Sequence, residues 1–487
     1  MNLSLILTDS AKRFPEKSAL FFNSREISYT DLLDRVMRLA GGLQKLGLKK
    51  GDKVAIALPN RPEFVIAYFA ILHAGGVVVA LNATATPYEL THYLTDSEAK
   101  IFITGSRRAH IWEELKEKVP TRTIIVVDGE EEETSLNRLI TSSEPIPTVL
   151  VEKNDPAVII YTSAMNGTPL GAVLSHYNLF TNAEAIRAIE GIDKQDRSIA
   201  VIPLFHAFGA TVNMLSMIKY GGSMVLMERF ETEQFFELLS KNRVTYMAAV
   251  PLILMGMLAY PQAGKYDLGA LWLSFCGGCP TPPGMVEQFK ERFGTDIMDG
   301  YGLTEAAPVV TSNQINGRMK IGSVGLPVPE TIVKIVDDAE NECPCGKIGE
   351  VVISGPGVML GYFRNPEATS TVLNDGWLRT GDLGYLDEDG FLFLTGRKKH
   401  MLITNGLNIY PKEVEKVLKM HPAVEEALVV GKPDPIKCEI AQALVVTNPE
   451  HSCDEKDIIK FVRSYLAPYK APRKVTFVEQ LPTPNNA

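Results

Sequence analysis

Between Thr30 and Leu46 the apolar positions are Leu32, Leu33, Val36, Leu39, Ala40, Leu43 and Leu46, the spacing of one helix face. Thr30 is placed to cap that helix and Gly47 to end it. Residues 53–58 are apolar without that period and read as a short buried strand. Pro62 opens a second helix, in the first turn where its missing N–H costs nothing. Gly75 and Gly76 stop it, and residues 77–81, 100–104 and 123–127 read as further strands. Helices alternating with apolar strands predict parallel sheets covered on both faces.

Further along, the pattern changes twice. A strand at 157–161 runs into a loop of small residues, 162–171, and a second α/β stretch covers about 178–300. From about 322 to 393 the chain becomes short strands with Gly, Pro and Asp turns, as in a small β-barrel or antiparallel sheet. The charged segment Arg397-Lys398-Lys399-His400 then precedes a strand, a helix (411–420), strands at 426–430 and 440–446, and a helix at 455–466. That last stretch predicts a small α+β unit, 397–487, set apart from a large α/β domain, 1–396.

Composition narrows the function. The net charge of −9 argues against a nucleic-acid partner, which calls for a basic face. The longest apolar run, 69–82, is broken by His73, Gly75 and Gly76 and falls short of the roughly 20 residues of a membrane span. Charges come too early in residues 1–13 for a secretory signal. Six cysteines in 487 residues make no disulfide scaffold and predict a reducing, cytoplasmic setting. Oligomeric state is left open by all of this.

Four segments carry candidate chemistry. The loop 162–171, with Thr162, Ser163 and Gly167, offers hydroxyls and backbone N–H groups that can hold phosphate oxygens. It lacks the GxxxxGK[ST] form, and a plain surface turn is the alternative. Residues 299–305 combine a flat aromatic (Tyr301) for a base, a hydroxyl (Thr304) for a phosphate and a carboxylate (Glu305) for Mg²⁺. The alternative there is a helix start capped by Thr304. Asp382, after Thr380-Gly381, is placed to accept from two ribose hydroxyls, or is an ordinary turn aspartate. The fourth segment is Gly396-Arg397 leading to Asn405-Gly406-Leu407-Asn408-Ile409-Tyr410-Pro411.

In this order the four segments resemble the adenylate-forming superfamily of acyl-CoA synthetases, luciferases and peptide-synthetase adenylation domains, over about residues 5–484. Pro203-Leu-Phe-His206, Val250-Pro251, Gly277-Gly278, Gly322-Ser-Val-Gly325 and Gly361-Tyr362 fall in the expected order and bring the chain nearest to fatty-acyl and aryl-CoA ligases. The resemblance implies an α/β large domain of two helix-covered sheets plus the small β-barrel, with a mobile C-terminal domain. It implies a two-step reaction. A carboxylate attacks the α-phosphate of ATP, giving an acyl-adenylate and pyrophosphate; the small domain rotates, and the CoA thiol attacks the adenylate carbonyl. The implied small-molecule partners are ATP/AMP, Mg²⁺, coenzyme A and a fatty or bulky carboxylic acid. Thr304 then contacts the α-phosphate and Glu305 carries Mg²⁺. Asp299, Gly300, Tyr301 and the Gly278-Cys279 backbone surround adenine, and Asp382 and Arg397 hold the ribose. Lys399 is the implied hinge, Gly406 lines the pantetheine path, and His206 stands where the acyl carboxylate enters, with a structural histidine as the alternative. Small residues near that pocket, such as Gly209, Ala248 and Gly277, leave room for a long or bulky acyl group.

The chain departs from the family at Ala164, Met165, Asn166 and Leu170, where a Gly, two Thr and a Lys are usual. Leu170 removes a cation, and a charge pair near 4 Å contributes about 1 kcal/mol in water and about 4 at an effective dielectric of 20. A weaker grip on the β- and γ-phosphates follows. The family's Leu-Pro-Arg-Thr-x-x-Gly-Lys segment carries a lysine to the reacting carboxylate, and residues 481–487 stop before that lysine would come. A degenerate member that binds nucleotide, or works mainly in the thioester or reverse direction, is therefore the alternative reading. Cys276 and Cys279 form a CxxC and Cys343 and Cys345 a CxC, but the spacing fits no standard zinc pattern. Cys276 to Cys279 falls where the resemblance has a Ser-Gly-Gly-Ala turn, so neither a metal nor a redox role is expected.

Overall fold

A computed structural model describes residues 1–128, 135–163 (the backbone alone at 163), 167–282, 284–314, 317, 319–398, 401–404, 406–434 and 437–482. The first sheet has the strand order Gly361–Tyr362, Pro169–Ser175, Pro156–Ser163, Val77–Ala80, Lys53–Ala57, Ile101–Thr104, Thr123–Val126. From Pro156–Ser163 to Thr123–Val126 the neighbours are parallel. All of Val77–Ala80 and Ile101–Thr104 is buried, which is why these strands are apolar without alternation. A second sheet of nine strands has a parallel centre, including Arg197–Ala200, Tyr246–Ala249, Leu273–Cys276 and Asp296–Gly302.

The helices fall close to the pattern. Pro62 opens Pro62–His73 as predicted. The first long helix is Tyr29–Lys45, and its cap is Ser28 rather than Thr30. Ser28 leaves the preceding strand extended and accepts the Asp31 N–H at 3.1 Å, while Thr30 donates to the Pro15 carbonyl at 3.0 Å.

An antiparallel sheet of five strands, between Ile332 and Arg397, stands where the barrel is expected. Beyond it, Leu402–Thr404, Leu407–Ile409, Val424–Asp434, Cys438–Thr447 and Lys474–Phe477 make a separate sheet, packed by the helices Pro411–Leu418 and Glu455–Tyr465 over its own apolar cluster. No helix among the described residues is long and apolar enough to cross a membrane.

Candidate active site

In parallel sheets, ligands collect beyond the carboxyl ends of the strands, where loops diverge. Here Tyr246–Ala249 leads into Val250-Pro251, and Leu273–Cys276 into the turn Gly277-Gly278-Cys279. Asp296–Gly302 leads into Thr304-Glu305, and Pro156–Ser163 of the other sheet leads into the loop at 164–166, which lies outside the described residues. The three ends from the second sheet border one cleft of about 1160 Å³, and Thr162, at the end of Pro156–Ser163, reaches its wall through Glu305. His206, Gly278, Cys279, Asp299, Gly300, Tyr301, Thr304, Glu305, Asp382, Arg397 and Gly406 all line it.

Asp382 and Arg397 are direct partners across an antiparallel pair, so their side chains share a face. Arg397 Nε donates to Asp382 Oδ1 at 3.1 Å, and the Tyr301 hydroxyl donates to Asp382 Oδ2 at 2.6 Å. Thr380 fixes this part of the strand Trp377–Leu386, where a turn aspartate was the alternative: its hydroxyl donates to the Val351 carbonyl at 2.7 Å and accepts the Asp382 N–H at 3.0 Å. Tyr301 thus presents an anchored ring, and burial together with the Asp382 charge holds its phenol protonated.

Glu305 joins the two sheets. Its Oε1 accepts from the Thr162 hydroxyl at 3.2 Å and from the Tyr362 hydroxyl at 2.9 Å. Tyr362 is a site residue that sequence reasoning passed over; Gly361-Tyr362 carries only the resemblance there. Thr304 is buried beside Glu305 on a single 3-10 turn, Thr304–Ala306, not at the start of a helix. Glu305 Oε2 has no hydrogen-bond partner among the described residues. A hard carboxylate oxygen suits Mg²⁺, which takes one or two carboxylates and completes its shell with phosphates and water. Among the described residues no cluster of three or more His, Cys, Asp or Glu offers a dedicated metal cage.

Burial raises the Asp299 carboxyl to about 6, against the Thr281 hydroxyl that donates to it. Burial lowers His206 to about 4, so its ring is neutral at pH 7. Nδ1 of His206 accepts the Phe208 N–H at 3.2 Å, which leaves the ring proton on Nε2.

The small unit closes over this site. Gly406 has φ +76°, and a Cβ there would lie 2.6 Å from Val250 Cγ1. Gly167 has φ +77°, and its Cβ would meet the Lys412 carbonyl at 2.7 Å. Both positions need glycine because the two units approach each other there. Leu170 pairs with Thr162 across the hairpin and is half-exposed. Lys399, with Ala164, Met165 and Asn166, lies outside the described residues.

One cysteine expectation is corrected. Cys279 lines the cleft, but its sulfur is bonded to Cys438 of the small unit. The spacing of cysteines carries no signal for this, because the partners are 159 positions apart and meet only when the units dock. Cys276 stays a buried thiol, its sulfur 3.5 Å from the Thr281 hydroxyl oxygen. A second feature without sequence signal is Lys470, buried between Glu89 at 2.8 Å and Glu413 at 2.7 Å.

The family of AMP-binding enzymes matches residues 7–363, and the AMP-binding enzyme C-terminal domain matches 413–487. A long-chain-fatty-acid–CoA ligase of Bacillus subtilis (strain 168) is 35% identical over 512 residues, covering 99% of this chain and 91% of that protein. A feruloyl-CoA synthase of Amycolatopsis sp is 35% identical over 474 residues, covering 97% and 94%. Among solved structures, the amide bond synthetase McbA of Marinactinospora thermotolerans superimposes with a TM-score of 0.92 at 29% identity, over 100% of this chain and 97% of that one. The o-succinylbenzoate CoA synthetase of Bacillus subtilis, bound with its product analogue, gives 0.87 at 29% identity, over 99% and 96%.

Proposed function

The chain belongs to the family of AMP-binding enzymes, and from that membership we propose how its cleft works as an AMP-forming carboxylate–CoA ligase. The observation that carries the reading is the joining of Tyr301, Asp382 and Arg397 beside Thr304 and Glu305, under a loop supplied by the small unit. Asp382 accepts from the ribose hydroxyls, and Tyr301 flanks the base with Asp299, Gly300 and the Gly278-Cys279 backbone. Thr162, Ser163 and Gly167 face the phosphates. Thr304 donates to the α-phosphate. Glu305 would hold Mg²⁺ through Oε2, where the ion would neutralise phosphate charge. Most of this is positioning and charge stabilisation.

In the first step a carboxylate oxygen attacks the α-phosphorus and pyrophosphate leaves. In the second the CoA sulfur attacks the acyl carbonyl carbon, AMP leaves, and the thiol proton goes to solvent. His206, with its proton on Nε2, donates to the acyl carboxylate group. Gly406 borders the approach of the thiol, and Lys399 is the hinge for the small unit. Ile202, Phe208, Met255 and Phe275 line the same cleft, which favours a fatty or aryl acid over a small polar one. Similarity to the fatty-acyl and feruloyl ligases supports that choice. The cytoplasm is the matching setting, since ATP and CoA are consumed there. Leu170 makes adenylation the slower half-reaction.

The test is ATP–pyrophosphate exchange over a panel of carboxylic acids, with acyl-CoA formation followed in parallel. Acid-dependent exchange that is strongest with long-chain or aryl acids is the expected result. Exchange with none of them, together with no acyl-CoA, would remove the ligase reading.

A further inference from the structure

The seam between the units carries a covalent link that neither half-reaction uses. Cys279 ends the turn after Leu273–Cys276, and Cys438 opens Cys438–Thr447 in the small unit. Their Cα atoms are 6.7 Å apart, within the span a disulfide allows. The meeting depends on the docked arrangement. Gly406 lies on Val250 and Gly278, Gly167 lies against Lys412 and Glu413, and Lys470 reaches Glu89. Swing the small unit away and Cys438 leaves Cys279. Both residues are half-buried, within reach of a small oxidant, whereas Cys276, three positions from Cys279, is fully buried. The other free cysteines of the described residues, Cys343, Cys345 and Cys453, have no bonded partner.

We propose that Cys279 and Cys438 form a redox-modifiable site whose oxidation locks the small unit in its docked arrangement and stops the catalytic cycle. The proposal rests on the ligase reading, in which the small unit changes position between half-reactions. The oxidant is a low-molecular-weight disulfide such as oxidised glutathione. One cysteine thiolate attacks a glutathione sulfur, the glutathione S–S bond breaks, and one reduced glutathione leaves. The second cysteine then displaces the other glutathione. One protein S–S bond forms, and two protons and two electrons end on two reduced glutathiones. A reducing thiol pool keeps the pair open, so the lock engages only when that pool is oxidised.

Full-length protein equilibrated in glutathione buffers of rising oxidised fraction tests this. Non-reducing peptide mapping is expected to show a Cys279–Cys438 linked peptide, and amide exchange over residues 406–412 is expected to slow. Steady-state acyl-CoA formation, which needs both half-reactions, is expected to fall at least tenfold and to return with dithiothreitol. The Cys438→Ser variant is expected to match the reduced wild type and to ignore the oxidant. Absence of the linked peptide at every ratio overturns the proposal. So does a linked enzyme with undiminished acyl-CoA formation, or a Cys438→Ser variant that still loses activity. If the reduced protein activates no acid, the ligase reading fails by itself; amide exchange at 406–412 then decides the lock, with slowing on oxidation supporting it and no change overturning it.

Discussion

The interior of the large unit and the seam beneath the small unit are made of opposite materials. In the interior Val54, Val78, Phe69, Ile101 and Ile103 are wholly or almost wholly buried against one another. Such packing depends on shape and volume and holds however the surface is charged. At the seam the buried groups are Lys470, Glu89 and Glu413, with the Ala467 N–H donating to Glu89 at 3.0 Å and the Thr86 hydroxyl to the Tyr465 carbonyl. Burial works against the Lys470 charge, but Tyr93, Glu413, Tyr469 and Glu89 together hold its pKa well above the usual lysine value. Polar partners like these fix one orientation, and water can replace them when the surfaces part. The first material suits a body that never opens, the second a joint that docks in one way and still separates.

Removing a core ring should break the body and show the contrast most strongly. Phe69→Ala is expected to destabilise by about 3–5 kcal/mol, the range for emptying a buried aromatic site. Trp112, Trp272 and Trp377 all lie before residue 397, so tryptophan fluorescence in urea reports the large unit. A shift below about 1 kcal/mol would mean that the interior relaxes into the space, contrary to close packing.

Lys470→Met attacks the seam instead. It removes the cation that lies between Glu89 and Glu413, and breaking a buried pair costs about 3–5 kcal/mol while the charges stay buried. Undocking rehydrates both carboxylates, so the loss is limited to the docking energy. The tryptophan transition should therefore stay within about 0.5 kcal/mol of wild type, the scatter for a site outside the core. Trypsin cleavage at Arg397 or Lys398, by contrast, should speed up. A tryptophan transition that moves as far as in Phe69→Ala would make seam and interior one cooperative unit.

The same contrast explains what the sequence reveals. Period and apolar runs placed Pro62–His73, Lys53–Ala57 and Pro411–Leu418 within a few residues, because burial on a regular element leaves a periodic trace. That Asp382 and Thr304-Glu305 belong to one cleft was legible because each sits in a short motif of consecutive residues. Tyr362, Lys470 and Cys438 were not. Each meets its partner across a long stretch of chain: Tyr362 and Glu305 are 57 positions apart, and Lys470 and Glu89 are 381. Nothing local in the sequence fixes such encounters; the docking of one surface on another does. The shift of the cap from Thr30 to Ser28 is a smaller case of the same kind, settled by where the preceding strand releases the chain.

A weaker perturbation separates binding from scaffold. Asp382 ties Tyr301 to Arg397 at the edge of the seam. Asp382→Ala should lower AMP affinity by about 1.5–3 kcal/mol, the range for a hydrogen bond to a charged group, as read by calorimetry. Its tryptophan transition should move less than that of Phe69→Ala. Unchanged AMP affinity would take Asp382 out of the nucleotide site.

The smallest expected effect lies on the loop that the small unit covers. Leu170 sits opposite Thr162, and Thr162 donates to Glu305, so in the proposed ligase reading a cation at 170 would stand near the bound phosphates. Leu170 is half-exposed, hence the solvent limit applies, and Leu170→Lys should gain about 1 kcal/mol in ATP binding rather than the larger figure for a dry site. AMP lacks the outer phosphates, so its affinity should not change. The gain should shrink as salt rises, since an exposed charge is screened within about 10 Å at 0.1 M. Single-turnover kinetics make the test complete. Adenylation should speed up in the variant, while thioester formation from supplied acyl-adenylate stays constant, because that step has no pyrophosphate to hold. Equal gains for ATP and AMP would show that the lysine acts on the nucleoside side and that Leu170 is not what slows adenylation.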